Sequence, residues 1–335
     1  MNKDIDLCGL GNGLVDIQFE IPDKDLERLS LRKGEMRLTQ GENPIEIMAA
    51  FNDKRPFKCS GGSGANSVIA FSALGGKAAY STVLGNDELG RFYANEFEEL
   101  NIELKSKFLD EMQTGTCFVF VTPDSERTML TSLGATATFS EEHLDEDFIK
   151  RAKWLYIEGY KFSEQNSTEA IEIAIDLAKK YDTKIAVSFS DLFIIENHRE
   201  KLEKVTAASD LIFCNEQEAV SFTGENNGEK AFNKLNSEHQ NAVVTFGKEG
   251  SMIAFDNKIY KIPAYPVQAV DTTGAGDMFA GVFLWGLMYE NDIKKAGHLA
   301  SYASARVVSQ LGARLKENLK EIRNKLFQDL ENEII

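Results

Sequence analysis

Apolar and polar positions fall into alternating blocks along this chain, most regularly between residues 150 and 255. There the short apolar runs Trp154–Ile157, Lys184–Ser188, Leu211–Cys214 and Asn241–Thr245 read as strands. Thr168–Lys180 and Glu229–Leu235 instead repeat their apolar positions at helical spacing. Buried strands alternating with amphipathic helices predict a mostly parallel sheet covered on both faces. In such sheets ligands bind beyond the carboxyl ends of the strands.

The first half predicts two kinds of element. Ile5–Leu10 and Ala78–Leu84 read as buried strands, with helices over Ala65–Leu74 and Asp87–Leu100, which begins a βαβ rhythm. Asp16–Ile21 and Gly34–Gln40 are β-like but of mixed polarity, Asn43–Phe51 suits a short helix, and Phe57–Ser60 another strand. Thr116–Val121 and Arg127–Thr131 predict a hairpin around Pro123-Asp124-Ser125. A small antiparallel sheet drawn from about 14–60 and 113–133 is therefore expected beside the larger one. No repeat or flexible linker interrupts the pattern, so residues 1–335 are read as a single domain, with Lys316–Glu331 as a terminal solvated helix.

Charge narrows the possible partners. Against 37 Lys and Arg stand 53 Asp and Glu, a formal net charge of -16 whose field repels polyanions, so nucleic acid is not an expected partner. A few backbone amides at a helix start can still hold an anion such as ATP locally. Cys8, Cys59, Cys117 and Cys214 form no C-x-x-C pair and suit free thiols, and the four histidines lack metal-ligand spacing. No stretch approaches the ~18 apolar residues of a membrane span, and the short apolar run within Met1–Gly13 does not suit a leader; a cytoplasmic protein is the expectation. Gly9, Gly11 and Gly13 lack the G-x-G-x-x-G spacing of a dinucleotide site, which argues against a nicotinamide dehydrogenase.

The strongest chemical signal is Asp271-Thr272-Thr273-Gly274-Ala275-Gly276-Asp277, followed by the helix-compatible run Met278–Met288. Small residues let backbone N–H groups approach an anion, and a helix start adds partial positive charge. A carboxylate beside a transferring phosphoryl group can take the proton of an attacking alcohol, although an aspartate here also suits a plain helix cap. Two more strings stand at a distance: Gly61-Gly62-Ser63-Gly64-Ala65-Asn66 and Asn215-Glu216-Gln217-Glu218. The three together, in this order, resemble the signatures of the ribokinase-like (PfkB) kinase family.

That resemblance implies a three-layer α/β ribokinase-like fold with a small β-sheet lid, and an ATP-dependent phosphotransferase acting on an alcohol group. It makes Asp277 the base and Gly274, Ala275 and Gly276 the anion hole. Gly61, Gly62, Asn66 and Asp16 match positions that hold the acceptor, where asparagine and carboxylate groups suit vicinal hydroxyls. Thr245-Phe246-Gly247-Lys248-Glu249-Gly250 resembles the nucleotide loop, giving Thr245, Gly247 and Gly250 to ATP. Asn215 and Glu218 are expected to act on Mg²⁺ through its water shell. Arg127 resembles a lid arginine that meets the phosphates, and K⁺ is expected near Asp271 and Thr273. Thr114-Gly115-Thr116-Cys117 resembles adenosine kinases, whereas Gly64-Ala65-Asn66 resembles sugar kinases. The implied acceptor is thus a nucleoside, adenosine foremost, with a ribose- or fructose-like sugar as alternative. A nucleotide-sensing binding protein is the alternative of another class. Monomer and homodimer both remain open.

Overall fold

The computed structural model describes residues 3–39, 42–124, 126–239 and 241–332. Of the stretches discussed above, Met1, Asn2, Gln40, Gly41 and Ser125 lie outside the described residues.

Fourteen strands are described: β1 (Ile5–Leu10), β2 (Leu14–Glu20), β3 (Met36–Leu38), β4 (Phe57–Gly61), β5 (Ala78–Gly85), β6 (Ile102–Leu109), β7 (Gly115–Val121), β8 (Arg127–Ser132), β9 (Ala152–Glu158), β10 (Lys184–Ser188), β11 (Leu211–Asn215), β12 (Ala242–Thr245), β13 (Ser251–Phe255) and β14 (Lys258–Ile262). Nine form one sheet in the order β14-β13-β12-β11-β10-β9-β1-β5-β6. Every pairing from β6 to β12 is parallel, and only β13 and β14 join antiparallel at one edge. All six residues of β1 and all eight of β5 are buried, as strands covered on both faces require. One covering layer holds the helices Ser63–Ala73, Ala275–Tyr289 and Ile293–Val308. The other holds Gln165–Lys180, Leu192–Ala208 and Glu216–Thr223. The result is the expected three-layer α/β ribokinase-like architecture.

The second sheet has the order β3-β8-β7-β2-β4, with strands from 14–61 and 115–132. It is mixed, not antiparallel as expected: β2 lies parallel to β7 and β3 to β8. Strands from two distant regions are not held to hairpin pairing, and only β7 and β8 meet through a tight turn. One face, with Val15, Ile17, Phe19, Phe118 and Phe120, packs on Leu26, Ile47 and Phe51 from short helices between β2 and β4. By register the other face carries Asp16, Cys59, Cys117, Val119, Arg127 and Met129.

Several elements escape the hydrophobic pattern. β6 alternates polar residues as a sheet edge does, and the helix Ile293–Val308 presents mostly alanine, serine and glycine to its packed face. The carboxyl-terminal helix runs Leu319–Glu331 and is not simply solvated, since Leu319, Ile322 and Leu326 are buried. Gly9 and Gly11 serve packing: a Cβ on Gly9 would lie 2.6 Å from Val68, and one on Gly11 would meet the Tyr80 hydroxyl. All four cysteines are free thiols. Among the described residues no helix is long and apolar enough to cross a membrane.

Candidate active site

Asp277 stands in the first turn of the helix Ala275–Tyr289, capped by Gly274 in the left-handed conformation at φ 75°. A side chain at Gly274 would be strained there and would meet the Ala313 Cβ at 2.5 Å. The Ala275 N–H turns back to the Thr272 carbonyl at 3.2 Å. The N–H groups of Gly276 and Asp277 follow in the first helical turn, where no intrahelical carbonyl can reach them, and a Cβ on Gly276 would meet only open space. Here the helix end offers donors and partial positive charge to an anion.

The Asp277 carboxylate is gripped from the start of another helix. Ser63 Oγ donates to its Oδ1 at 2.6 Å and Asn66 Nδ2 to its Oδ2 at 3.1 Å. Burial pushes its pKa up to about 6, and the two hydrogen bonds oppose that rise. Asn66 Oδ1 is buried without a partner, an acceptor left over beside the carboxylate. Gly62 caps this helix at φ 100°, where a Cβ would lie 2.2 Å from the Asn12 carbonyl oxygen.

Asp16 lies on the same side. A Cβ on Gly61 would come within 2.5 Å of Asp16 Oδ2, so that glycine lets the carboxylate lie against the backbone. Burial raises the Asp16 pKa to about 6 against the pull of Arg314 and Arg127, while Asp277 and Glu96 add to the rise. Arg314 is itself tied to Glu96 and to the Ser60 carbonyl and hydroxyl.

At the carboxyl ends of the next strands, Asn215 and Thr245 are register partners on β11 and β12. Asn215 and Glu218 form a reciprocal capping box: the Asn215 N–H donates to Glu218 Oε2 at 2.9 Å, its Nδ2 to Oε1 at 2.7 Å, and the Glu218 N–H to Asn215 Oδ1 at 2.9 Å. That arrangement builds the helix start first and leaves little room for direct metal ligation. Among the described residues no three His, Cys, Asp or Glu side chains converge as a metal cluster. Burial nonetheless raises the Glu218 pKa to about 7, and the charges of Asp191 and Asp277 add to it. Carboxylates that raise one another's pKa are the surroundings a hydrated divalent cation relieves. In the loop Thr245–Gly250, Gly247 has φ 55° and open space at its Cβ position, whereas a Cβ on Gly250 would meet the Ile262 carbonyl at 2.1 Å, so Gly250 shapes the hairpin.

Arg127 pairs with a carboxylate of the Asp271–Asp277 turn. Its Nη1 meets Asp271 Oδ2 at the head of that turn.

The geometry has close counterparts. The profile of the pfkB family carbohydrate kinases matches residues 52–319. The chain belongs to this family. With that membership it is a small-molecule kinase, of a family that works with ATP. It is 26% identical to an adenosine kinase of Saccharomyces cerevisiae over 91% of this chain and 95% of that one. A probable sugar kinase from Rhizobium etli superposes with a TM-score of 0.86 at 29% identity, covering 97% of this chain and 99% of the other. An adenosine kinase from Sinorhizobium meliloti gives 0.85 at 29%, covering 96% and 99%.

In this pfkB kinase the sequence motifs converge, but most of the side chains that support them were not singled out by the motifs. Ser63 sits inside a recognised string without being singled out, and Arg314 lies beyond the last one. Glu158, fully buried at the end of β9, accepts the N–H of Asn12 at 2.7 Å and the N–H of Gly64. Lys161, equally buried, donates to Asn12 Oδ1 and to the Thr136 carbonyl, each at 3.0 Å. A glutamate and a lysine three residues apart at a strand end look like solvated surface; only the fold encloses them.

Proposed function

We propose that this pfkB kinase transfers the γ-phosphate of ATP to the primary hydroxymethyl group of a nucleoside, most specifically adenosine. The observation that carries the reading is the Asp277 carboxylate, raised toward neutral pH by burial and fixed by Ser63 and Asn66 at a helix end that offers free N–H donors. A base of that kind takes the hydroxyl proton as the oxygen attacks. Asp16 and the unpartnered Asn66 Oδ1 suit the remaining hydroxyls. The Gly276 and Asp277 N–H groups suit the charge that grows on the transferred phosphoryl group. Bound Mg²⁺ would supply positive charge against that of the ATP phosphates. Glu218 is the side chain that suits its water shell, and Thr245 and Gly247 border the nucleotide crevice.

The nucleoside is favoured over a bare sugar by the small sheet. The face that carries Asp16 also carries Val119 and Met129, packed with Leu311, and the exposed Met36, Leu38 and Phe57 by register. Apolar surface beside a hydroxyl-binding carboxylate suits a molecule with both a sugar and a flat apolar group. Acting as a lid, the sheet would bury that group and exclude water. The Gly64-Ala65-Asn66 string keeps a ribose- or fructose-like sugar as the second reading.

The deciding experiment is ADP release with adenosine, other nucleosides, ribose and fructose at matched ATP and Mg²⁺, with acceptor-free hydrolysis subtracted. Adenosine is expected to give a higher kcat/KM than ribose, because binding of the base positions the hydroxymethyl group. A sugar that outperforms adenosine overturns the nucleoside reading. ATP binding without acceptor-dependent ADP release would mark a nucleotide sensor.

A further inference from the structure

Arg127 reaches from β8 in the small sheet to Asp271 at the head of the anion-binding turn. Their side chains are only 10% and 4% exposed. Asp271 is the fixed point of that turn. Its Oδ1 accepts the Thr273 N–H at 3.0 Å, and its Oδ2 accepts the Gly312 N–H at 2.8 Å as well as Arg127 Nη1. Its own N–H is bound to the Val308 carbonyl at 3.1 Å. One carboxylate thereby joins the small sheet, the turn before the helix Ala275–Tyr289 and the loop after the helix Ile293–Val308.

A charge this enclosed is costly unless it is paired, and Arg127 supplies the pairing. The family resemblance implied K⁺ beside Asp271 and Thr273, but the Asp271 carboxylate is already engaged and does not suit one. A monovalent cation is held by oxygen lone pairs, and both lone pairs of Asp271 Oδ2 already face donors. The lone pair left on Oδ1 lies beside a guanidinium that is always charged and repels a second cation.

We propose that the Arg127 guanidinium is a built-in counter-ion standing in place of a monovalent cation: it neutralises Asp271, holds Thr272–Gly274 in its anion-binding shape and makes turnover independent of K⁺. The proposal rests on the kinase reading of that turn. Because Arg127 belongs to the small sheet, the turn has its counter-ion only while that sheet sits over the site. Arg127 is then a positioning residue that acts on the transferred phosphate through Asp271.

The test compares melting temperature and turnover in KCl, NaCl and tetramethylammonium chloride at one ionic strength, for the wild type, Arg127→Met and Arg127→Lys. The wild type is expected to be indifferent to the cation in both measures. Arg127→Met is expected to turn over at least about tenfold more slowly, with part of the loss recovered by K⁺ or millimolar guanidinium chloride. Arg127→Lys keeps a charge and is expected to stay indifferent to K⁺. A wild type that is faster or more stable in K⁺ than in Na⁺ overturns the proposal, as does an Arg127→Met enzyme as fast as the wild type. If no acceptor is phosphorylated the acceptor reading fails, yet melting still decides: stabilisation by K⁺ of Arg127→Met alone supports the counter-ion, and K⁺ stabilisation of the wild type overturns it. Should Arg127→Met not fold, K⁺-indifference of Arg127→Lys supports the proposal and K⁺ dependence overturns it.

Discussion

The hydroxyl of Ser63 donates to Asp277 Oδ1 at 2.6 Å across 214 residues of sequence, so one helix start fixes the carboxylate of another. This bond favours the charged form and opposes the rise that burial imposes on the Asp277 pKa. Ser63→Ala is therefore expected to raise that pKa further. The acid limb of the kcat/KM profile, near pH 6 in the wild type, should move to higher pH, with a smaller loss on the alkaline plateau. An unmoved limb would detach Ser63 from the base.

Asp277→Asn keeps the size of the side chain and removes the proton acceptor. A fall in kcat of roughly 10² to 10⁴ is expected, with ATP binding retained. Stability should move the other way. Folding raises the Asp277 pKa from 3.8 to about 6, so the folded state keeps a proton that the unfolded chain has already lost. The stability this group provides is fully present below about pH 4 and disappears as pH rises through 6. Asp277→Asn should thus melt above the wild type at pH 8 and level with it near pH 4. Equal melting at both values would show that the carboxylate is not destabilised by its surroundings.

Gly61→Ala tests the acceptor side alone. The new Cβ would fall within 2.5 Å of Asp16 Oδ2 and push the carboxylate from its place on the backbone. The expected outcome is an acceptor KM raised by about tenfold or more, the scale of a lost charged hydrogen bond, with the ATP KM nearly unchanged. A shift shared equally by both substrates would mean that Gly61 supports the whole site and that Asp16 has no private role.

The parallel sheet was legible because strands such as Leu211–Cys214 are apolar throughout and bounded by amphipathic helices. β6 was not, since an edge strand with polar residues at alternate positions carries a weak signal. In the site, glycines at 61, 62 and 274 announce themselves because close neighbours or a positive φ admit no other residue. The partners of the charges do not. Arg127 was expected in a lid by resemblance alone, but its pairing with Asp271 depends on how the small sheet sits on the large one, and local spacing carries no trace of that contact. Asn215 and Glu218 show the reverse case, because the spacing that suggested a metal site is also that of a capping box.

Beneath the diglycine turn, Glu158 and Lys161 set up the last prediction. Burial raises the Glu158 pKa and lowers that of Lys161, while each charge favours the other across Asn12, which both of them bind. Glu158 holds the N–H groups of Asn12 and Gly64, and Lys161 holds the Asn12 side chain from below. Lys161→Met would strand a buried carboxylate, which either takes up a proton or draws in water. A loss of about 1–3 kcal/mol of stability is expected, because the change also removes the donor to Asn12 Oδ1 and to the Thr136 carbonyl. Glu158→Gln combined with Lys161→Met removes both charges, keeps one acceptor for the loops, and should recover much of that loss. Denaturant melts of the two single variants and the double variant measure the coupling. The acceptor KM should follow Glu158 more closely than Lys161, because only Glu158 touches the backbone of Gly64. Additive losses in the double variant would mean that the two charges do not act as a pair, and an unchanged acceptor KM in Glu158→Gln would remove it from the support of the acceptor site.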